Sequence, residues 1–123
     1  MQTSKNQSFF ARLKFAAAGL MHGLRAEHSV RFHVFAFACV LIVLAVFRPE
    51  PEWWAILLLT SAAVISAELF NTAIEHLADH LHPAVHPVIR IVKDCAAAGV
   101  LVTSLAALAV AAAFAMHLYS RWA

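Results

Sequence analysis

Trp53-Trp-Ala-Ile-Leu-Leu-Leu-Thr-Ser-Ala-Ala-Val-Ile-Ser-Ala-Glu68-Leu-Phe-Asn71-Thr-Ala-Ile-Glu75-His-Leu-Ala-Asp79 starts as an apolar run and ends with acids on one side. Glu68, Asn71, Glu75 and Asp79 follow one another at spacings of three, four and four. On a helix those spacings put all four side chains on one face. Ionisable groups in a membrane-spanning helix are costly and usually mark a functional site. A stripe that merely glued helices together would be poorly served by carboxylates, which need partners when buried. The stripe therefore points to a site for cations, protons or phosphates.

Working outward, the chain has 123 residues, 63% hydrophobic and 13% charged. A soluble domain of this size cannot hide so much apolar surface, so the expected class is a small integral membrane protein. One copy would make a thin bundle, which favours oligomers. A net charge of +2 is too small to argue for nucleic acid. The first residues, with Lys5, Arg12 and Lys14, do not show the signal-peptide pattern. Cys39 and Cys95 lie at different expected depths and lack metal-ligand spacing, which argues against both a disulfide and a metal.

Residues 8–27 alternate apolar and basic positions at helical spacing and predict an amphipathic helix on the membrane surface. Three spans are expected after it, over about residues 30–47, 53–81 and 94–119. Arg48-Pro-Glu-Pro-Glu52 breaks the first from the second. Pro83 and Pro87 hold the next connection. Trp53 and Trp54 suit one interface, and Tyr119 and Trp122 the far end of the last span. Basic residues before the first span, with Arg90 and Lys93, put the N-terminus and the 80–93 connection in the cytoplasm and the C-terminus outside.

Depth follows from helical rise. Glu68 lies about 22 Å along the axis from Trp53, still below the cytoplasmic surface, with Glu75 and Asp79 about 10 and 16 Å further on. Glu27, Arg31, Lys93 and Asp94 reach the same level from other segments. A deep acid with shallower acids above it suits a site that draws one substrate from lipid and another from cytosol. No G-x-x-x-x-G-K-[ST] loop is present, and glycine occurs only at 19, 23 and 99. Phosphate chemistry would then need magnesium and basic side chains. His76 and His80, one turn apart, are a possible transition-metal pair, while interfacial histidines are more often solvated. His33 reads as a buried polar contact in the first span. A proton or cation translocator using Glu68, Glu75 and Asp79 is the competing class. It predicts acids continuing through the membrane, and none occurs in 53–67 or 95–119.

The residues also carry a resemblance. Glu68-Leu-Phe-Asn-Thr-Ala-Ile-Glu75, then Asp79, His86-Pro, and Lys93-Asp94 with Ala-Ala-Ala-Gly-Val-Leu, resembles the prokaryotic diacylglycerol kinase family, which includes undecaprenol kinases. Upstream, Leu13-Lys-Phe-Ala, Gly19-Leu and Glu27-x-x-x-Arg31-x-His33 extend it to about residues 12–105. The Arg-x-His and His86-Pro features look closer to the undecaprenol kinase branch.

The resemblance implies an all-α membrane protein: a surface helix and three transmembrane helices per chain, assembled as a homotrimer. It implies magnesium- and ATP-dependent phosphorylation of a membrane lipid alcohol, either diacylglycerol or undecaprenol, at a bacterial inner membrane. Carried over by position, Glu68 is the general base, and Glu27 and Glu75 hold the metal with the nucleotide phosphates. Lys93, Asp94, Asp79, His86 and Arg12 contact the nucleotide. Asn71 and Arg31 serve the lipid side.

Overall fold

The computed structural model describes residues 7–123; Lys5, counted above for orientation, lies outside them. Four helices follow in order: α1 (Phe9–Ala26), α2 (His28–Phe47), α3 (Pro51–Leu81) and α4 (Pro87–Trp122). The last three are long and apolar enough to cross a membrane.

Each boundary has a local cause. Ser8 caps α1 by accepting a hydrogen bond from the Ala11 N–H. Glu27 is extended and separates α1 from α2. Arg48 ends α2 in a left-handed conformation, φ 44° and ψ 58°. For a residue with a Cβ that costs on the order of 1 kcal/mol. Pro49 follows, and a proline cannot continue the helix. Pro51 and Pro87 open α3 and α4, where a missing N–H costs nothing. Because Pro87 starts α4, this helix outlasts the expected span 94–119 and carries Arg90, Lys93 and Asp94 on helical backbone.

α3 is the central element. It packs extensively on α4, then on α2, and touches α1. At 1.5 Å per residue α3 and α4 run about 46 and 54 Å, beyond a hydrocarbon core of about 30 Å. Their excess length carries Glu75, Asp79 and Lys93. The buried core is small: Leu44, Leu57 and Phe114, with Val40, Trp53 and Leu118 around them. Phe35, Leu59, Phe70, Leu105 and Leu108 are exposed on the isolated chain. So much outward apolar surface suits lipid or partner helices. Cys39 and Cys95 are also exposed and free, so they lie on this outer surface and not in the core.

At the end opposite the acids, Glu50 joins α3 to α4. The His117 Nε2 lies 2.9 Å from its carboxylate and the Arg121 guanidinium 3.9 Å away. Trp53 stacks at 5.2 Å on the His117 ring. A hydrogen bond from its own backbone N–H, then the one from His117, with Arg121 adding less, hold Glu50 below the usual carboxylate pKa. A lowered folded-state pKa means this stabilisation is complete at neutral pH and is lost as pH falls below the usual carboxylate range through the Glu50 value. Glu50→Gln is therefore expected to unfold at a slightly lower temperature than wild type at pH 7. The gap should narrow at an acidic pH below the usual carboxylate range. Thermal unfolding at both values checks this, and an equal gap at both would contradict it.

Candidate active site

Glu68 is the one buried charged side chain among the described residues. It is 4% exposed, on the face of α3 that meets α2. The Ser29 hydroxyl donates to its Oε2 at 2.8 Å. The His33 Nε2 lies 3.3 Å from Oε1. Ser29 and His33 are four apart on α2, one turn on the same face. Both oxygens of a buried carboxylate thus have polar company from a single neighbouring helix, as burial of a charge requires.

Around this carboxylate the other acids open toward the long ends of α3 and α4. Thr72, one turn beyond Glu68, is buried. Its carbonyl lies 2.8 Å from the His76 Nδ1. The His76 ring meets that of His22 edge-on at 5.3 Å, tying α3 to α1. Gly23 is buried where α1 crosses α3; a Cβ there would stand 2.7 Å from the Leu69 side chain. Glycine is thus the residue that allows this close approach. Glu27 follows Gly23 by one turn, and Glu75 adjoins His76, so both acids belong to the α1–α3 junction.

The remaining candidate residues divide in two. Lys93 pairs with Asp79 across α3 and α4. With His86, Arg90 and Asp94 they border a pocket of about 330 Å³ under the connecting loop. His86 also caps α4, its Nδ1 accepting from the Val88 N–H at 3.2 Å. Arg12 is exposed on α1, away from any ion pair among the described residues. Arg31 donates to the Leu24 and Arg25 carbonyls, both at 3.0 Å. Here its guanidinium closes the α1 C-terminus and pins the α1–α2 elbow.

Magnesium suits the hard oxygen donors present. It is commonly held by one or two carboxylates plus substrate phosphates. Glu27 and Glu75 are half-buried, and neither is in an ion pair among the described residues. The buried Asn71 Oδ1 has no hydrogen-bond partner among them. No three His, Cys, Asp or Glu side chains gather as a cation site among the described residues. A cation here would take the rest of its oxygens from a ligand, and the His76/His80 pair has no third protein donor.

Sequence reasoning missed Ser29 and left His33 without a named partner. The available signal was their four-residue spacing within the otherwise apolar start of α2. Nothing local to residues 29–33 points to a partner 39 positions on.

Comparison with known proteins places the sequence in a family. The family described as prokaryotic diacylglycerol kinase matches residues 14–115. A diacylglycerol kinase of Synechocystis is 34% identical over 98 residues, covering 79% of this chain and 56% of that protein. An undecaprenol kinase of Bacillus subtilis is 35% identical over 94 residues, 76% of each chain. The matched region contains Glu27, Glu68, Glu75 and Lys93, the residues that the fold gathers at one end of the bundle. On this evidence the chain belongs to the prokaryotic diacylglycerol kinase family.

Proposed function

We propose that this chain is a lipid kinase that transfers the γ-phosphoryl group of ATP to the hydroxyl of a membrane lipid alcohol, diacylglycerol or undecaprenol. The observation that carries the reading is the buried carboxylate of Glu68, hydrogen-bonded by Ser29 and approached by His33, set about two and three turns below Glu75 and Asp79. The lipid hydroxyl gives its proton to Glu68. Its oxygen attacks the γ-phosphorus while the bond to the leaving ADP oxygen breaks. Phosphoryl transfer needs positioning and charge neutralisation more than covalent help from the protein. Glu27 and Glu75 would hold magnesium, which when bound supplies part of that neutralisation. Lys93 supplies more by exchanging Asp79 for phosphate oxygens. Arg12, Asp79, His86 and Asp94 complete the nucleotide side; Asn71 and Arg31 border the lipid side.

The protein works in a bacterial inner membrane, with α1 lying on the cytoplasmic surface and the C-terminus outside. The translocator alternative gains no support, because among the described residues His33 is the lone titratable one lining the groove between the three spans. A phosphoryl-transfer assay offering each lipid separately with ATP and magnesium tests the reading. Transfer to neither lipid by the assembled protein would refute it.

The working unit is a homotrimer whose sites draw on more than one chain, which the outward apolar face of α4 supports. At a magnesium concentration too low for Glu75→Gln to work, mixing Glu68→Gln chains with Glu75→Gln chains is expected to restore part of the activity, since some sites then receive both intact acids. No recovery in demonstrably mixed trimers would show that one chain supplies both.

A further inference from the structure

Resting on the reading of Glu68 as the base, we infer that His33 is a positioning residue for the transfer step: from the groove side, its Nε2–H fixes the carboxylate orientation in which Glu68 meets the lipid hydroxyl. Ser29 alone would not do this. Its hydroxyl holds Oε2, and a carboxylate held at one oxygen still swings about its last bond. Oε1 is approached by His33 Nε2 at 3.3 Å, an ion-pair contact that a small turn of the ring would align as an N–H···O bond. Two contacts on two oxygens define the plane of the group and leave lone pairs free for a substrate proton.

The placement of His33 argues for more than a packing role. It is the last polar side chain on α2 before an apolar stretch that runs to Phe47. A polar ring at that depth is costly without a partner. The ring also lines a groove of about 360 Å³ between α2, α3 and α4. The groove is otherwise apolar except for Thr60 and Ser61 from α3 and Ser104 from α4. No other titratable side chain among the described residues lines it. His33 therefore stands between the carboxylate and an apolar opening of the kind a lipid chain enters. Its side chain remains 21% exposed, against 5% for Glu68. An Nε2–H donor at this point both steadies Oε1 and marks where the apolar groove gives way to the reacting group.

The test compares kcat and KM for ATP and lipid in wild type, His33→Leu, His33→Gln, His33→Asn and Glu68→Gln. Glutamine places an N–H where the imidazole has Nε2; asparagine is too short to reach Oε1. We expect His33→Leu and His33→Asn to lower kcat by about 100-fold, the cost of misplacing a reacting group by about 1 Å. KM for ATP should stay within about two-fold, and His33→Gln should recover to within a few-fold of wild type. A merely structural histidine would not be rescued by glutamine while failing with the equally polar asparagine. If the leucine variant does not assemble, the glutamine–asparagine contrast decides alone. Equal activity of those two variants, or a loss confined to KM for ATP, overturns the proposal. An inactive Glu68→Gln with an unimpaired His33→Asn overturns the positioning role and leaves the base intact. A fully active Glu68→Gln removes both.

Discussion

Glu68→Gln is expected to lower lipid phosphorylation by about 100- to 10,000-fold, the range over which a positioned general base contributes. Glutamine keeps the length of the side chain and one oxygen for the Ser29 hydroxyl. Its amide cannot take a proton from the lipid hydroxyl at neutral pH. The other end of the amide carries an NH₂ facing His33, which the imidazole can accept by changing tautomer. Folding and assembly should therefore survive. The measurement is initial-rate phosphorylation at saturating ATP, alongside the oligomer size of the same preparation. Because the residue would act on the lipid and not on the nucleotide, KM for ATP should change little. Near-normal turnover in a correctly assembled variant would remove Glu68 from the chemistry.

Glu27→Gln and Glu75→Gln should each raise the magnesium concentration needed for half-maximal rate by about 30-fold. Even with water-like screening, a unit charge about 4 Å from a divalent ion contributes about 2 kcal/mol, close to that factor in affinity. Weaker screening in a half-buried site would enlarge it. The two effects should not multiply in the double variant, since both acids would serve one ion. Both acids flank the contacts that join α1 to α3: the His22 ring meets that of His76 edge-on, and Gly23 lets α1 sit against Leu69. Magnesium titrations of rate in the single and double variants test this. Unchanged magnesium dependence in both single variants, or a double variant equal to the product of the singles, would defeat the shared-ion assignment.

The two predictions differ in how far the sequence alone reaches. The importance of Glu68 was legible from its place in an apolar run and from the spacing to Asn71, Glu75 and Asp79. Local periodicity carries that information because a helix maps spacing directly onto a face. The starts of α3 and α4 were not: Pro51 and Pro87 read as parts of connections, yet each opens its helix, because the missing N–H of proline costs nothing in the first turn. The extent of α4 before residue 94 was equally hidden: Arg90 and Lys93 read as a polar connection by composition, yet they are helical.

What the sequence by itself determined is the number of helices, the polar face of α3 and the end of the bundle where the acids lie. All of these depend on residues within a few turns of one another. The tertiary structure alone decided which donors reach Glu68, that Lys93 pairs with Asp79, and that Arg31 closes the end of α1. Those contacts join different helices or cross the elbow between them. Each depends on the rotation and sliding of one helix against another, set by side-chain ridges fitting grooves and by the space left at Gly23. A rotation of one residue about α2, about 100° in a helix of 3.6 residues per turn, would turn Ser29 and His33 away from the carboxylate without changing a single local pattern.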